Sequence, residues 1–336
     1  MDRVAKLPAS QRGDLFSQSA ARRGLREAII EKDFWVCWVL KQLFTDASLQ
    51  SRLVFKGGTS LSKVFQLIDR FSEDVDLVLD WTLLGYGSEK SDPKELLLSK
   101  TQQDRFNKQI NAEAASHIGG PLLAKLVSIF SVIPGLSVAI DERDPHCIDV
   151  SYPASFKADY VLPKVRLEIG PLASWVPSAS YSIHPYASED FPEVFRDPVC
   201  PVVAIAAERT FWEKATILHK EARRAGPIPT RHSRHYYDLF KLANSPVCEV
   251  ALAKVGLLRD VVEFKTRFYP SAWARYDLAI PGSFQISPKA DQLTALAKDY
   301  REMSDMLFGE IPNFDTIIGG LAELELKINR LTPPPK

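Results

Sequence analysis

The stretch "FKGGTSLSKVFQLIDRFSEDVDLVLD" (55–80) sets two glycines after a short apolar run and ends on two aspartates one residue apart. "RLVF" (52–55) reads as a strand running into Gly57 and Gly58. "TSLSKVFQLI" (59–68) then places Leu61, Val64, Phe65 and Ile68 at helical spacing, and "DVDLVLD" (74–80) alternates as a strand. On that strand Asp74 and Asp76 point to one face, while Val75, Leu77 and Leu79 point to the other. Glycine has no Cβ, so amides around Gly57 and Gly58 can approach a phosphate closely. A helix starting near Thr59 adds free amides and a favourable dipole, Ser60 a hydroxyl and Lys63 a charge. Two carboxylates side by side repel unless a cation sits between them, and shared Mg²⁺ is the usual chemical reason for such a pair. A tight turn and a solvated polar strand face account for the same letters, so this stretch needs support from the rest of the chain.

A third carboxylate lies in "PKVRLEIGP" (163–171). Glu168 shares a strand face with Arg166, opposite Val165, Leu167 and Ile169, and would join Asp74 and Asp76 at a metal. An Arg166–Glu168 surface pair is the plainer alternative.

Around these residues the chain is ordinary in bulk. Its 336 residues suit one elaborated domain or two, and 46% hydrophobic content suits a packed globular core. Formal net charge is zero, so any attraction to nucleic acid or membrane must come from a local patch. Cys37, Cys147, Cys200 and Cys248 are far apart without a CxxC pair, which reads as free thiols in a reducing cytoplasm. No signal-like or membrane-spanning apolar run is present, so a cytoplasmic protein without membrane contact is expected.

"EAIIEKDFWVCWVLKQLF" (27–44) reads as a buried helix, and 101–132 as mostly helical. "LSVAI" (136–140), "CIDVSY" (147–152) and "KVRLEI" (164–169) are strand candidates, 184–201 a proline-studded connector, and the patterns from 202 onward helical. An α/β core with a helical C-terminal part follows.

Strand, Gly-Gly, helix, Asp-x-Asp strand and a later strand carboxylate resemble the polymerase-β-like nucleotidyltransferase fold. Fifteen residues (59–73) separate Gly58 from Asp74, somewhat more than in most members of that superfamily. A narrower resemblance covers more of the chain. "IEKDFWVCWVL" (30–40), "FKGGTSLSKVF" (55–65), "RFSEDVDL" (70–77), "VRLEIG" (165–170), "ERTFWEKATILHKEARR" (208–224) and "RHSRHYYDL" (231–239) appear in order, as in the AbiEii/AbiGii toxin family. "KDYREMSDMLF" (298–308) resembles that family's C-terminal helix.

The resemblance implies an α/β (α+β) protein with a polymerase-β-like nucleotidyltransferase core on a mixed sheet. The expected segments are an N-terminal helical segment (1–50), the core (51–195) and a helical C-terminal domain (196–336) completing the active site. It implies a toxin of a bacterial toxin–antitoxin or phage-defence system with a cognate antitoxin. Such a toxin uses Mg²⁺, two ions by expectation, and a nucleoside triphosphate to add nucleotides to the 3′ acceptor end of tRNA. The implied catalytic set is Asp74, Asp76, Glu168, Lys214 and Asp238, with Asp74, Asp76 and Glu168 on metal. The nucleotide would meet Gly57, Gly58, Thr59, Ser60, Lys63 and Ser72.

Read from the residues alone, Lys214 lies on a helix rich in Phe211, Trp212, Ala215 and Leu218, at the edge of a packed surface. Asp238 sits four residues after Arg234, where a helix ion pair explains both. "HKEARRAGPIPTRHSRH" (219–235) is a local basic run with Tyr236 and Tyr237 beside it, suited to RNA phosphates and base stacking, or to an acidic antitoxin. A protein or small-molecule acceptor, and a nucleotide- or RNA-binding protein without turnover, are the competing readings.

Overall fold

The computed structural model describes residues 1–72, 74–157 and 161–332. Two compact units emerge, one of Met1–Val64 with Ser72–Ile205, the other of Phe65–Phe71 with Ala206–Lys336.

The first unit holds α1 (Asp2–Ala5), α2 (Ala9–Arg23), α3 (Glu27–Thr45), β1 (Leu53–Lys56), α4 (Gly57–Lys63), β2 (Asp74–Leu79), α5 (Lys100–His117) and α6 (Leu123–Phe130). It continues through β3 (Ser137–Ile140), β4 (Cys147–Ser151), β5 (Lys164–Gly170), β6 (Ser178–Ile183), α7 (Tyr186–Asp190) and β7 (Cys200–Ile205). Its seven strands form one mixed sheet in the order β3-β4-β5-β2-β1-β7-β6. The expected α/β class with a mixed sheet is what the chain adopts. β1 runs antiparallel to β2 and parallel to β7, and β2 runs parallel to β5.

α3 is apolar on nearly every side, and sixteen of its residues are buried, which is why it forms an inner layer rather than an amphipathic cover. Trp35 and Trp38 meet edge to face at 5.8 Å, and Phe130 of α6 lies 5.5 Å from Trp38. The alternation in β5 is clean: Val165, Leu167 and Ile169 are buried while Arg166 and Glu168 are half-buried. All four cysteines are buried free thiols.

Two expectations fail here. β7 is a strand beside β1 where a connector ending at 201 and a helical pattern from 202 were expected; a short buried apolar run with little alternation carries no periodicity that separates strand from helix. β6, "SASYSI", has almost no apolar signal and was not expected at all.

The second unit holds α8 (Ala207–Glu221), α9 (Ser233–Ala243), α10 (Pro246–Ala253), α11 (Val255–Phe268), α12 (Leu293–Glu302) and α13 (Phe314–Asn329). α9 is its centre and packs against α8, α10, α12 and α13. α13 approaches closely because Gly320 faces Phe240; a Cβ there would lie 2.7 Å from the ring.

The helix expected over 59–68 stops at Lys63. Gln66 takes φ 53°, outside helical space, and Phe65–Phe71 is built into the second unit instead. The Phe71 amide donates to the Met306 carbonyl at 2.7 Å and the Phe308 amide to the Asp69 carbonyl at 2.9 Å, as an antiparallel bridge. Ile68, which looked like a helix-face residue, is buried in this role.

Candidate active site

In the first unit, sheet register brings the strand carboxylates together. Asp76 of β2 lies opposite Glu168 of β5, and Asp74 lies opposite Arg166. All four are half-buried and share a face. Arg166 does not follow the Arg166–Glu168 alternative: its guanidinium engages Asp141, and its Nε donates to Asp149 Oδ1 at 3.1 Å. Those two carboxylates hold Arg166 charged.

The glycine turn packs directly on this face. Gly57 has φ +79°, and a Cβ there would fall 1.9 Å from Asp76 Oδ2. No other residue type fits without moving that carboxylate. Behind the turn, Thr59 Oγ1 donates to the Asp74 carbonyl, tying α4 to β2. Ser60 is buried, and its Oγ donates to the Gly57 carbonyl at 2.9 Å, so its hydroxyl braces the turn. Gly58 is buried in the same turn, and Ser72 is half-buried in the segment before β2. Glu73, part of the "RFSEDVDL" motif, lies outside the described residues.

Lys63 departs from expectation. Its ammonium turns inward to Asp33 Oδ1 at 2.6 Å, donates to the His184 carbonyl at 3.0 Å and sits 3.8 Å from the Tyr186 ring centre. Burial opposes that charge, but Asp33 outweighs it and raises the lysine pKa. Lys63 anchors the C-terminal end of α4 instead of offering charge beside the glycines. Asp33, from the "IEKDFW" motif, was not singled out as a site residue, although that motif was part of the family resemblance.

Among the described residues, no three His, Cys, Asp or Glu side chains converge as a ready cage for a metal ion. The donor set still suits Mg²⁺, which is commonly held by one or two carboxylates together with substrate phosphates rather than by an all-protein cage.

In the second unit, Lys214 of α8 and Asp238 of α9 meet. The Lys214 Nζ lies 2.8 Å from Asp238 Oδ2. Arg70 closes on the same carboxylate from Nε at 2.6 Å and from a terminal nitrogen at 2.8 Å. Asp238 therefore serves two cations at full burial and does not follow the alternative of a helix ion pair with Arg234. Burial opposes its ionisation, yet Arg70 and Lys214 hold its pKa well below the usual carboxylate range. For Lys214, burial is the larger effect and lowers its pKa despite Asp238. Lys214 Nζ also lies 3.3 Å from His235 Nδ1, and burial keeps that imidazole neutral, so Nδ1 accepts. Arg70 and His235 were not assigned these roles; Arg70 opens the "RFSEDVDL" motif, which is where the signal lay.

The basic run 219–235 is partly consumed within its own unit. Glu221 is buried and takes Arg224, whose terminal nitrogen sits 3.1 Å from Oε1. Arg223 donates to the His219 carbonyl at 3.0 Å. Tyr236 and Tyr237 are buried, so neither is available for base stacking, contrary to expectation. Both sit on the inner face of the amphipathic α9.

In fold the chain resembles MenT4, a nucleotidyltransferase toxin from Mycobacterium tuberculosis H37Rv, with TM-score 0.50 at 16% identity, covering 97% of this chain and 91% of that one. JHP933 from Helicobacter pylori is a looser likeness, with TM-score 0.40 at 16% identity over 87% of this chain and 88% of that one. The chain belongs to the AbiEii family, described as the nucleotidyl transferase AbiEii toxin of type IV toxin–antitoxin systems, whose model matches residues 38–319. No curated protein matches it.

Proposed function

We propose that this nucleotidyltransferase transfers a nucleoside monophosphate from an NTP to the 3′ acceptor end of tRNA, as the toxin of a toxin–antitoxin or phage-defence system acting in the cytoplasm. The observation that carries the reading is the contact of the Gly57 turn with Asp76, on a sheet face shared with Asp74 and Glu168. It places an amide-rich turn beside carboxylates that suit a divalent cation.

In this reading Asp74, Asp76 and Glu168 hold Mg²⁺, which when bound neutralises phosphate charge and lowers the pKa of an attacking hydroxyl. The first-turn amides of α4, from Gly57 and Gly58, lack intrahelical acceptors and take the triphosphate oxygens. Thr59 and Ser60 keep that turn in place, and Ser72, two residues before Asp74, is assigned to the nucleotide. The 3′-hydroxyl oxygen bonds to the α-phosphorus, the bond to the bridging oxygen breaks, and pyrophosphate leaves. Glu168 is the group assigned to take the hydroxyl proton. Lys214 is assigned to phosphate as a buried ammonium, and Asp238 to positioning it.

The test is incubation of purified protein with Mg²⁺, total tRNA and each α-labelled NTP in turn, with Asp76→Ala in parallel. Label in the tRNA band, absent from the variant, is the expected result. Label in Asp76→Ala would sink the mechanism. Label on protein, or none on tRNA, would move the acceptor to a protein side chain or a small molecule.

A further inference from the structure

Trp273 is 42% exposed, in a short helical turn (Ala272–Ala274) after α11. The Lys220 ammonium and the Arg224 guanidinium each lie 4.9 Å from its ring centre. Both cations come from the basic run that ends α8 and continues beyond it.

The backbone just after Trp273 is tied to α8. His219, fully buried and adjacent to Lys220, donates from Nε2 to the Arg275 carbonyl at 3.1 Å. The tautomer follows from its other nitrogen, which accepts the Gln285 amide at 3.2 Å. Arg275 is held at φ 46°, a left-handed conformation that a residue with a Cβ keeps only when its surroundings fix it. A half-exposed tryptophan on a pinned loop, with two cations beside its ring, is preorganised for contact.

The charges around it are mainly positive. Lys289 is exposed, and its Nζ donates to the Arg224 carbonyl at 2.8 Å, adding a third cation. The nearby acids have partners: Glu221 is buried with Arg224, Asp277 pairs with Arg275 at 2.8 Å, and Glu325 accepts the amides of Ile286 and Ser287. In a chain of zero formal net charge this is a local cationic surplus around an aromatic face. Every nucleobase has a π-face, and every nucleotide a phosphate.

We propose that Trp273, with Lys220, Arg224 and Lys289, is a stacking platform for an unpaired nucleotide of single-stranded RNA. An acidic protein surface would use the cations but gain little from an exposed indole. The inference takes from the proposed function only that RNA is a partner.

The test is fluorescence anisotropy of a labelled single-stranded RNA 12-mer and of the same sequence as a duplex, with full-length protein and no NTP. Trp273→Ala is expected to weaken single-strand binding about tenfold, in the range of one stacked base. Trp273→Phe should recover most of it, and duplex binding should change little. Lys220→Ala should reduce the slope of log affinity against log salt by about 0.7, one single-strand phosphate contact. The proposal is overturned by unchanged binding in Trp273→Ala, by no single-strand binding in the parent, or by poly-glutamate competing through Trp273 as well as RNA does. Because no transfer is measured, this result separates from the labelling experiment. Loss of binding in Trp273→Ala keeps the platform even if tRNA takes no label, and labelled tRNA with unchanged binding removes the platform alone.

Discussion

Asp238 serves two cations with one buried carboxylate, and those cations do not stand on equal terms. Arg70 takes both oxygens through a planar fork, whereas Lys214 reaches one oxygen and His235. Removing the carboxylate leaves two buried cations facing each other. Asp238→Asn is therefore expected to destabilise the fold by about 3–5 kcal/mol, read as a drop in the urea midpoint at neutral pH. Lys214→Met should cost far less, because burial already disfavours its charge and the Arg70–Asp238 pair survives. If Lys214 meets the phosphates, the same variant loses nucleotidyl transfer. A Lys214→Met protein that unfolds as readily as Asp238→Asn would show that the lysine is a structural partner. In the wild type, the depressed Asp238 pKa means its contribution is complete above the ordinary carboxylate range and fades only as pH falls through the lowered value. The family resemblance put Lys214 and Asp238 forward as site candidates. It did not show Arg70 as their partner, which lies 168 residues from Asp238 and which no local pattern connects to it.

At the scale of elements, the turn between β1 and α4 depends on a missing side chain. Gly57→Ala would meet both a left-handed φ and the Asp76 carboxylate, so the turn or the carboxylate must move. On the proposed mechanism this contact adjoins the reacting phosphate, where a displacement of about 1 Å costs on the order of 10²-fold, so transfer is expected to fall by about that much. Gly170→Ala is the control: it ends β5, and a Cβ there meets nothing within 4 Å. Equal losses in the two variants would mean that the Gly57–Asp76 contact is not special. β2 and β5 were legible because polar and apolar residues alternate along β5 and through Asp74–Leu77 of β2, giving period two. β7 was not, since "VVAI" runs into "AAERTF" and the joined letters carry helical spacing past the real boundary at Ile205. The apolar spacing at 64–68 misled for a different reason. Ile68 is apolar because the second unit buries it, and a sequence pattern does not say which body an apolar residue serves.

At the scale of the molecule, the chain leaves the first unit after Val64, adds seven residues to the second, and returns at Ser72. Those seven residues are heavily used where they go. Arg70 holds Asp238, the Asp69 amide donates to the Tyr237 hydroxyl at 3.2 Å, and Lys241 Nζ sits 2.7 Å from Asp69 Oδ2. Every one of these partners lies beyond Ile205. A fragment of residues 1–205 would keep all seven strands and yet strand this segment, with Ile68, Phe71 and the Arg70 guanidinium newly exposed to water. Limited trypsin digestion of that fragment is expected to cut after Arg70 early, while full-length protein resists there. Equal resistance of fragment and full chain at Arg70 would show that the segment holds its conformation without its partners. The complementary fragment, beginning at Ala206, has the opposite defect. Its Asp238 keeps Lys214 alone, and the Met306 carbonyl and the Phe308 amide lose their bridge, so it should melt lower than the same helices in the intact chain.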